Sequence, residues 1–187
     1  MKESQYVDIF HESLSVICEK YKKGNFVAKI KSNLLYEICI NPKLQFEIKD
    51  IVNPSRGSSA FQTDICVFEV RDEVEIPRIV FEFKTNYTTH DILTYSAKAG
   101  KHKQIYPYLR YGLISTSPDN ISGRFFTHND HLDFLVTTNK YNDTEIEKIS
   151  LKIFESEIRK SLLLEEIYFG DKKCDYFTTD FEFTNIL

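Results

Sequence analysis

The amino-acid sequence predicts an α/β fold in which helices flank a mixed β-sheet. Apolar residues recur at helical spacing near both ends of the chain, whereas shorter segments in the middle alternate between apolar and polar residues as strands do. Segments rich in Gly, Pro, Asn and Ser separate these elements. A chain of 187 residues suits one domain that buries roughly 70% of its unfolded surface, so we expect a single domain over residues 1–187.

The first third of the chain predicts two helices, a strand and a loop. Residues 4–23 carry apolar side chains every three or four positions and end in Lys-Lys before a glycine, so they predict a helix. Residues 26–40 predict a second helix, which ends near an Asn-Pro pair. Residues 44–52 alternate as a strand does, and the composition of residues 53–59 predicts a loop.

The middle of the chain predicts two strands, antiparallel if they form a hairpin, and then a helix. Residues 60–70 and 78–84 are the strands, and a charged turn separates them. Thr88 and Asp91 fit a capping box, in which each side chain accepts a hydrogen bond from the other residue's backbone N–H. The helix that they start must end near Pro107, because proline interrupts helical hydrogen bonding.

The last third adds two strands and a long helix. Residues 111–116 and 131–138 predict the strands, residues 143–168 predict the helix, and an acidic, aromatic tail follows. The order before these additions is helix, three strands, helix and strand. We therefore expect a mixed sheet between helices, with a core over about residues 26–116 and additional elements over residues 117–187.

Composition disfavours several classes of protein and leaves nucleic-acid binding open. The 24 Lys and Arg against 28 Asp and Glu neither indicate nor exclude a nucleic-acid partner, because a basic groove can coexist with an acidic site. No segment approaches 18 uninterrupted apolar residues, and the first residues lack the apolar segment of a signal peptide. We therefore expect a cytoplasmic protein with no membrane partner. The four cysteines are widely spaced, which disfavours structural zinc.

The segment IVFEFKTN, residues 79–86, places two charged residues in a strand that is otherwise typical of a sheet interior. Side chains two apart share a face of a strand, so Glu82 and Lys84 project together. Asp64 lies in the preceding strand and comes within roughly 5–8 Å of Glu82 if the strands pair. Two carboxylates about 4 Å apart repel by about 4 kcal/mol at an effective dielectric constant near 20. The pair therefore requires a cation.

This arrangement of oxygen ligands suits Mg²⁺, which takes one or two carboxylates and retains several waters. A lysine beside the ion can orient or deprotonate a water, or stabilise negative charge that develops on a phosphate. Asp64, Glu82 and Lys84 therefore predict metal-assisted hydrolysis of a phosphodiester. The alternative is a strand end whose Glu and Lys reach solvent or pair with each other.

The strands that carry these residues resemble a known family. TDICVFE and IVFEFK are similar to the motif of the PD-(D/E)xK nuclease superfamily, which has the restriction-endonuclease-like fold. The resemblance covers about residues 26–116 and implies a core of a helix, three strands, a helix and a strand. It also implies DNA as the substrate and Mg²⁺ as the cofactor, with Mn²⁺ as a substitute.

The resemblance implies a role for each matching residue. Asp64 takes the place of the family's Asp, Glu82 that of its Asp or Glu, and Lys84 that of its catalytic Lys. The backbone carbonyl of Phe83 would be a further metal ligand. Thr63 precedes Asp64 where the family has Pro, a departure from the pattern.

Two further kinds of candidate flank this motif. Some branches of the superfamily add a Glu from the helix before the first strand, and Glu37 or Glu12 fits that place, although either also fits as an ordinary boundary residue. Gln62 lies two residues before Asp64, hence on the same strand face, where it would hydrogen-bond water or phosphate. The alternative for Gln62 is a polar residue at the start of a strand.

Basic residues among tyrosines concentrate in residues 98–112, which contain no Asp or Glu. Such a segment suits a phosphate backbone, and a solvated helix face is the alternative. The small residues Ser96, Ala97, Ala99 and Gly100 predict the face that packs on the sheet, with Lys98, Lys101 and His102 opposite it and Lys103 near it, within reach of the metal. Arg56 in the predicted loop is a further candidate for phosphate or base contacts. The four basic candidates of the segment are Lys98, Lys101, Lys103 and Arg110.

These observations favour three functions. The first is a Mg²⁺-dependent DNA endonuclease, most simply a type II restriction enzyme. The predicted helix at 143–168 has enough apolar surface to pack on the core or on a second copy, and a homodimer would present two active sites to two antiparallel DNA strands. The second is a structure-selective repair, junction-resolving or phage-defence nuclease of the same superfamily. The third is a nuclease-like fold that only binds nucleic acid or a partner.

Overall fold

The computed structural model describes residues 3–47, 50–56 and 59–176. Over these residues the chain is an α/β protein with a mixed five-stranded sheet flanked by helices, as the sequence predicts. The elements in chain order are α1 (Glu3–Lys20), β1 (Phe26–Ile30), β2 (Asn33–Leu35), β3 (Ala60–Gln62), β4 (Ile65–Arg71), β5 (Val74–Lys84), α2 (Thr89–Ile105), β6 (Arg110–Ser115), α3 (Gly123–His128), β7 (Phe134–Thr137) and α4 (Asp143–Phe169).

The five-stranded sheet has the strand order β1-β4-β5-β6-β7. β1 and β4 are antiparallel, as are β4 and β5, which form the predicted hairpin. β5, β6 and β7 run parallel. β2 and β3 form a separate antiparallel pair. β5 therefore lies at the centre, with an antiparallel neighbour on one side and a parallel neighbour on the other.

Helices cover both faces of the sheet. α1 and α4 pack together on one face, where Phe10 and Phe154 belong to the same buried cluster as residues of β5. α2 and α3 cover the other face. Successive strand residues point to opposite faces, so Phe81 and Phe83 of β5 face α1 and α4, and the even-numbered residues of β5 in this stretch face α2. The long C-terminal helix thus packs on the core of its own chain.

A β-bulge divides the β4–β5 hairpin into two parts. Val67 pairs with Ile79 and Phe68 pairs with Pro77, so Arg78 is the extra residue between two registers. Proline is compatible with a bulge because it has no N–H to donate to a strand ladder. The bulge changes the phase of side-chain alternation between the turn of the hairpin and its open end.

Local signals set the N-termini of α2 and α4. The Thr88 hydroxyl accepts from the Asp91 N–H, and Asp91 Oδ2 accepts from the Thr88 N–H at 2.8 Å, which confirms the predicted capping box. Asn142 and Glu145 form the same arrangement at the start of α4. Among the described helices, none combines the length and the apolar character needed to cross a membrane.

The helix predicted over residues 26–40 is wrong. β1 pairs with β4, and β2 pairs with β3, so this segment is mostly extended. Phe26 and Ala28 are buried, in the two-residue alternation of a strand. Lys31, between the two strands, has a φ of 53°, a conformation outside the helical region. Pairing with a distant strand, rather than local helix preference, decides the conformation here.

One other predicted element is wrong, and one observed element was not predicted. The strand predicted over residues 44–52 is absent from both sheets: an isolated bridge joins Ile40 to Phe46, and residues 48–49 lie outside the described residues. The short helix α3 has no counterpart in the sequence prediction. Leu44 and Phe46, two of the apolar residues that suggested the strand, are exposed, so the alternation has no buried face to stabilise a strand here. α3 has six residues and is too short to show a helical period.

Candidate active site

Asp64 lies between two strands that belong to different sheets. It follows β3 and precedes β4, so the strand predicted over residues 60–70 is interrupted at this point. Ile65 pairs with Phe81, and the next position along the hairpin sets Asp64 opposite Glu82. Residues opposite each other in an antiparallel pair share a face, so both carboxylates lie on the α2 side of the sheet. We call Asp64 and Glu82 the acid pair.

Backbone hydrogen bonds hold Asp64 in place. The Phe83 N–H donates to Asp64 Oδ2 at 2.8 Å, and the Asp64 carbonyl accepts from the Lys31 N–H at 2.9 Å. The residue is half-buried. One carboxylate oxygen is therefore fixed against β5 next to Glu82, and no described residue donates a hydrogen bond to the other oxygen.

Glu82 is the most buried acidic group of the site, with 2% of its surface exposed. Its Oε1 accepts hydrogen bonds from the Lys98 ammonium at 2.5 Å and from the Tyr111 hydroxyl. Burial, together with a smaller contribution from the charge of Asp64, raises the pKa of Glu82 to about 7 against the opposing effect of Lys98. Near neutral pH, a cation close to this carboxyl therefore stabilises its charged form.

Lys98 lies on the inner face of α2, which contradicts the face predicted for it. Its side chain is only 18% exposed, and its ammonium also donates to the Gln62 carbonyl at 2.6 Å. His102, one turn further along, is buried as well and hydrogen-bonds the Leu35 carbonyl through Nδ1. A lysine can lay its apolar stem along the helix–sheet interface while its charged end reaches a carboxylate.

Lys84 lies on the same strand face as Glu82 but makes its ion pair elsewhere. Its ammonium is 3.6 Å from Asp91 Oδ1, and its side chain is 38% exposed. Partial burial of Asp91 opposes ionisation, but hydrogen bonds from Thr88 and the charge of Lys84 lower its pKa overall. Lys84 is thus at the exposed margin of the site, tied to the first turn of α2.

Three residues near the acid pair were missed by sequence reasoning. The pKa of Tyr95, on α2, is raised by burial and then by the negative charges of Glu82, Asp64 and Glu3. The Tyr95 hydroxyl is therefore close enough to these carboxylates to be affected by their charge. Glu3 also accepts a hydrogen bond from the Thr85 N–H at 3.3 Å. Tyr111, which donates to Glu82, is the third residue, and its position in the otherwise apolar strand RYGLIS was a signal that could have identified it. Nothing in the sequence distinguishes Glu3 from other acidic residues at the ends of helices.

The structure does not bring the other acidic candidates to the acid pair. Glu37 is not on a helix; it follows β2, and its Oε1 accepts from the Ser59 hydroxyl at 3.2 Å. Glu12 lies exposed on α1. Gln62 contributes its backbone carbonyl to Lys98, while its side-chain amide donates to the Lys31 carbonyl at 3.4 Å.

Two of the basic candidates are neutralised within the fold. Lys103 pairs with Asp133 at 2.7 Å and donates to the His131 carbonyl, so it does not reach toward the acid pair as predicted. Arg110 pairs with Asp133 at 2.8 Å and with Glu157 at 2.7 Å. Their partners lie on α4 and in the segment just before β7, far from residues 98–112 in sequence. Exposed basic candidates are Lys101 and Arg56.

The donor set of the acid pair fits a small divalent ion. No group of three or more His, Cys, Asp or Glu side chains suited to a metal occurs among the described residues. Mg²⁺ does not need such a group, because one or two carboxylates and several waters complete its shell. The ammonium on Glu82 is an independent sign that this position requires positive charge. Asp64 and Glu82 would hold the ion.

No protein-family model and no curated protein matches the chain. Any functional proposal therefore depends on the acid pair and on the two lysines that flank it. Both lysines belong to the segment between the start of β5 and the end of α2, so one strand–helix unit supplies most of the charged groups of the site.

Proposed function

We propose that the protein is a Mg²⁺-dependent DNA endonuclease of the PD-(D/E)xK type, most simply a type II restriction enzyme. The observation that carries the proposal is the convergence of Asp64 and Glu82 on one face of the sheet, with Lys84 two residues further along the same strand. The order α1, β1, β4, β5, α2, β6 within the mixed sheet supports a restriction-endonuclease-like core.

Each group has a role in this proposal. The divalent ion, when bound, supplies positive charge to the scissile phosphate and to the attacking water. Asp64 and Glu82 hold it, and the Phe83 N–H orients Asp64 through its hydrogen bond to Oδ2. Lys84, half-exposed at the margin of the site, orients the water or stabilises the charge that develops on the phosphate.

A protein that binds nucleic acid without cutting it is the second candidate. The observation that favours it is the engagement of both lysines: Lys98 is bound to Glu82, and Lys84 is paired with Asp91. Because Lys98 already neutralises Glu82, the more buried carboxylate of the pair, the fold can hold this acid without a metal ion.

Incubation of the purified protein with plasmid and phage DNA in Mg²⁺ distinguishes these functions. Discrete fragments support a restriction enzyme. Smearing, or cutting confined to branched DNA, supports a structure-selective or defence nuclease. A shift in gel mobility without cleavage in Mg²⁺ or Mn²⁺ supports the binding protein and contradicts the endonuclease.

A further inference from the structure

Lys98 is the one described residue whose ammonium contacts the acid pair. Its Nζ lies 2.5 Å from Glu82 Oε1 and 2.6 Å from the carbonyl oxygen of Gln62. Two oxygens from two different strands thus surround a cation carried by a helix, and the charge of Asp64 acts on the same carboxylate. Oxygen atoms around one compact positive charge are the surroundings that a hard metal ion also takes.

Burial explains why an ammonium occupies this position. Glu82 is almost fully buried, and a buried carboxylate that lacks a partner is strongly unfavourable. Lys98 provides that partner, and so the fold does not depend on a metal ion to neutralise its most buried acid. Lysine suits a temporary partner, because its ammonium is a point charge on a flexible four-carbon stem with no fixed bidentate geometry.

A divalent ion on the acid pair and an ammonium on Glu82 Oε1 would be two positive charges at one oxygen. Like charges at such a distance repel strongly in a buried site. The two cations therefore compete for Glu82, and the side chain of Lys98 has to leave when the ion binds. Once released, its ammonium remains attached to α2 beside the site, where a phosphate group is the complementary ligand.

We propose that Lys98 is a built-in placeholder for the divalent ion, which moves from Glu82 to the phosphate of the substrate when the ion binds. This inference rests on the proposed function and extends it to the order of binding. Binding of the metal ion and binding of DNA then favour each other. The ion frees the Lys98 ammonium for a phosphate, and a phosphate that binds this ammonium keeps it away from Glu82 and so favours the ion. In the metal-free protein the Lys98 ammonium occupies Glu82 Oε1, and it is free to bind a phosphate only after the ion has displaced it.

Calorimetric titration of the full chain with Ca²⁺, a hard divalent ion that also takes oxygen ligands, tests the placeholder. Lys98→Met removes the competing charge, so we expect Ca²⁺ to bind about tenfold more tightly than to the parent protein in the absence of DNA, within the usual range of coupling between sites. A short DNA duplex should raise the Ca²⁺ affinity of the parent and leave that of Lys98→Met unchanged. Lys101→Met, an exposed lysine of the same helix, is the matched control and should behave as the parent.

A second variant keeps the test decisive if Lys98→Met does not fold. Lys98→Arg retains the ion pair with Glu82, and the guanidinium holds a carboxylate through two hydrogen bonds, so it is harder to displace. We expect Ca²⁺ to bind this variant several-fold more weakly than the parent. Circular dichroism verifies the fold of each protein.

The outcomes separate this inference from the proposed function. Ca²⁺ binding that Asp64→Asn abolishes, but that neither Lys98 variant changes, overturns the placeholder and leaves the nuclease intact. Weaker Ca²⁺ binding to Lys98→Met also overturns it, because Lys98 would then support the metal site. Absence of Ca²⁺ binding by the parent, with and without DNA, overturns both proposals.

Discussion

Both ends of the β4–β5 hairpin carry buried carboxylates, but the two ends differ in how far cations balance them. At the end near the hairpin turn, Arg78 is fully buried and donates to Glu69 at 2.6 Å and to Glu165 at 2.5 Å. Arg71 donates to the same two carboxylates, and the ring of Tyr108 lies 5.0 Å from the guanidinium carbon of Arg78. Two arginines thus balance two glutamates, and we call this group the Arg78 cluster.

At the open end, the charges of the acid pair are only partly balanced. Asp64 and Glu82 face a single buried cation, Lys98, because Lys84 is engaged by Asp91. The pKa values differ accordingly. Although burial opposes it, hydrogen bonds from the two arginines lower the pKa of Glu165, whereas burial raises that of Glu82 to about 7.

The balance of charge, rather than burial, distinguishes the two ends of the hairpin. Burial of charge is common to both ends, so burial alone does not mark a functional site. The Arg78 cluster has one cation for each anion, and Arg71 binds each glutamate through both carboxylate oxygens, as structural ion pairs do. The open end lacks one cation, and uncompensated carboxylates with a raised pKa are typical of sites that bind or react.

The largest expected effect concerns the open end. Asp64→Asn removes half of the acid pair while keeping its shape, so Mg²⁺-dependent cleavage of DNA should fall by about 10³-fold or more. Rates of plasmid cleavage measure it. Glu155→Gln, an exposed carboxylate of α4, is the control and should cut at the parent rate. Cleavage by Asp64→Asn at the parent rate would remove the functional distinction between the two ends.

The next effect concerns the other end, and it should be on stability alone. Arg78→Met leaves Glu69 and Glu165 without their buried partner, so the free energy of unfolding should fall by about 3–5 kcal/mol. Arg71→Met removes a guanidinium that is 41% exposed and should cost less than about 1 kcal/mol. Urea unfolding measures both. Equal losses of unfolding free energy for the two variants would show that the burial of an arginine does not determine how much it contributes to stability.

A third prediction uses pH to probe the layer behind the acid pair. Burial lowers the pKa of His102 to about 4, and among the described residues no group hydrogen-bonds its Nε2. The His102 imidazole of the unfolded chain binds a proton near pH 6.5, whereas that of the folded protein does so only near pH 4. The contribution of neutral His102 to the free energy of unfolding is therefore complete above pH 6.5 and is lost as the pH falls toward 4. The loss amounts to about 3 kcal/mol at most.

His102→Phe should therefore remove this loss: relative to the parent, its unfolding free energy should rise by up to about 3 kcal/mol as the pH falls from 6.5 to 4, whatever its effect on absolute stability. Denaturant unfolding at several pH values measures the slope. His90→Gln changes an exposed histidine of the same helix and should keep the parent slope. An unchanged slope in His102→Phe would mean that another group is responsible for the pH dependence.

The smallest effect concerns the helix that carries Lys98. Thr88→Ala removes the side-chain cap of α2 and should lower the free energy of unfolding by about 1 kcal/mol. Ser122→Ala is a matched control, because Ser122 is the N-cap of α3 and makes no side-chain capping hydrogen bond. Thermal unfolding of both variants measures the difference. Equal shifts would show that the capping box contributes nothing beyond the residue type.

Local patterns predicted the parts of the fold that local interactions determine. Apolar spacing identified α1 and α4, and the pair Thr88 and Asp91 identified the start of α2, because these signals lie within a few residues of one another. β1 was mistaken for a helix because Phe26 and its neighbours become extended only by pairing with β4, which lies far along the chain.

The candidate site shows the same division. Two-residue alternation in a strand sets which face a side chain occupies, and the hairpin register then followed for Asp64 and Glu82. Neither rule gives the direction of a long side chain on a packed helix, so the inward course of Lys98 was not predictable. Lys103 and Arg110 were taken as free because their acidic partners come from α4 and from the segment before β7.

The bulge at Val67 and Phe68 has a consequence for protein engineering. The bulge accommodates one extra residue in β5, so Ile65 stays paired with Phe81 although residues 74–77 pair in a shifted register. The tip at Asp72 and Glu73 is exposed, and it is therefore suited to a grafted epitope or a fluorescent label. Such an attachment would report on the intact molecule without disturbing the spacing between its paired acids.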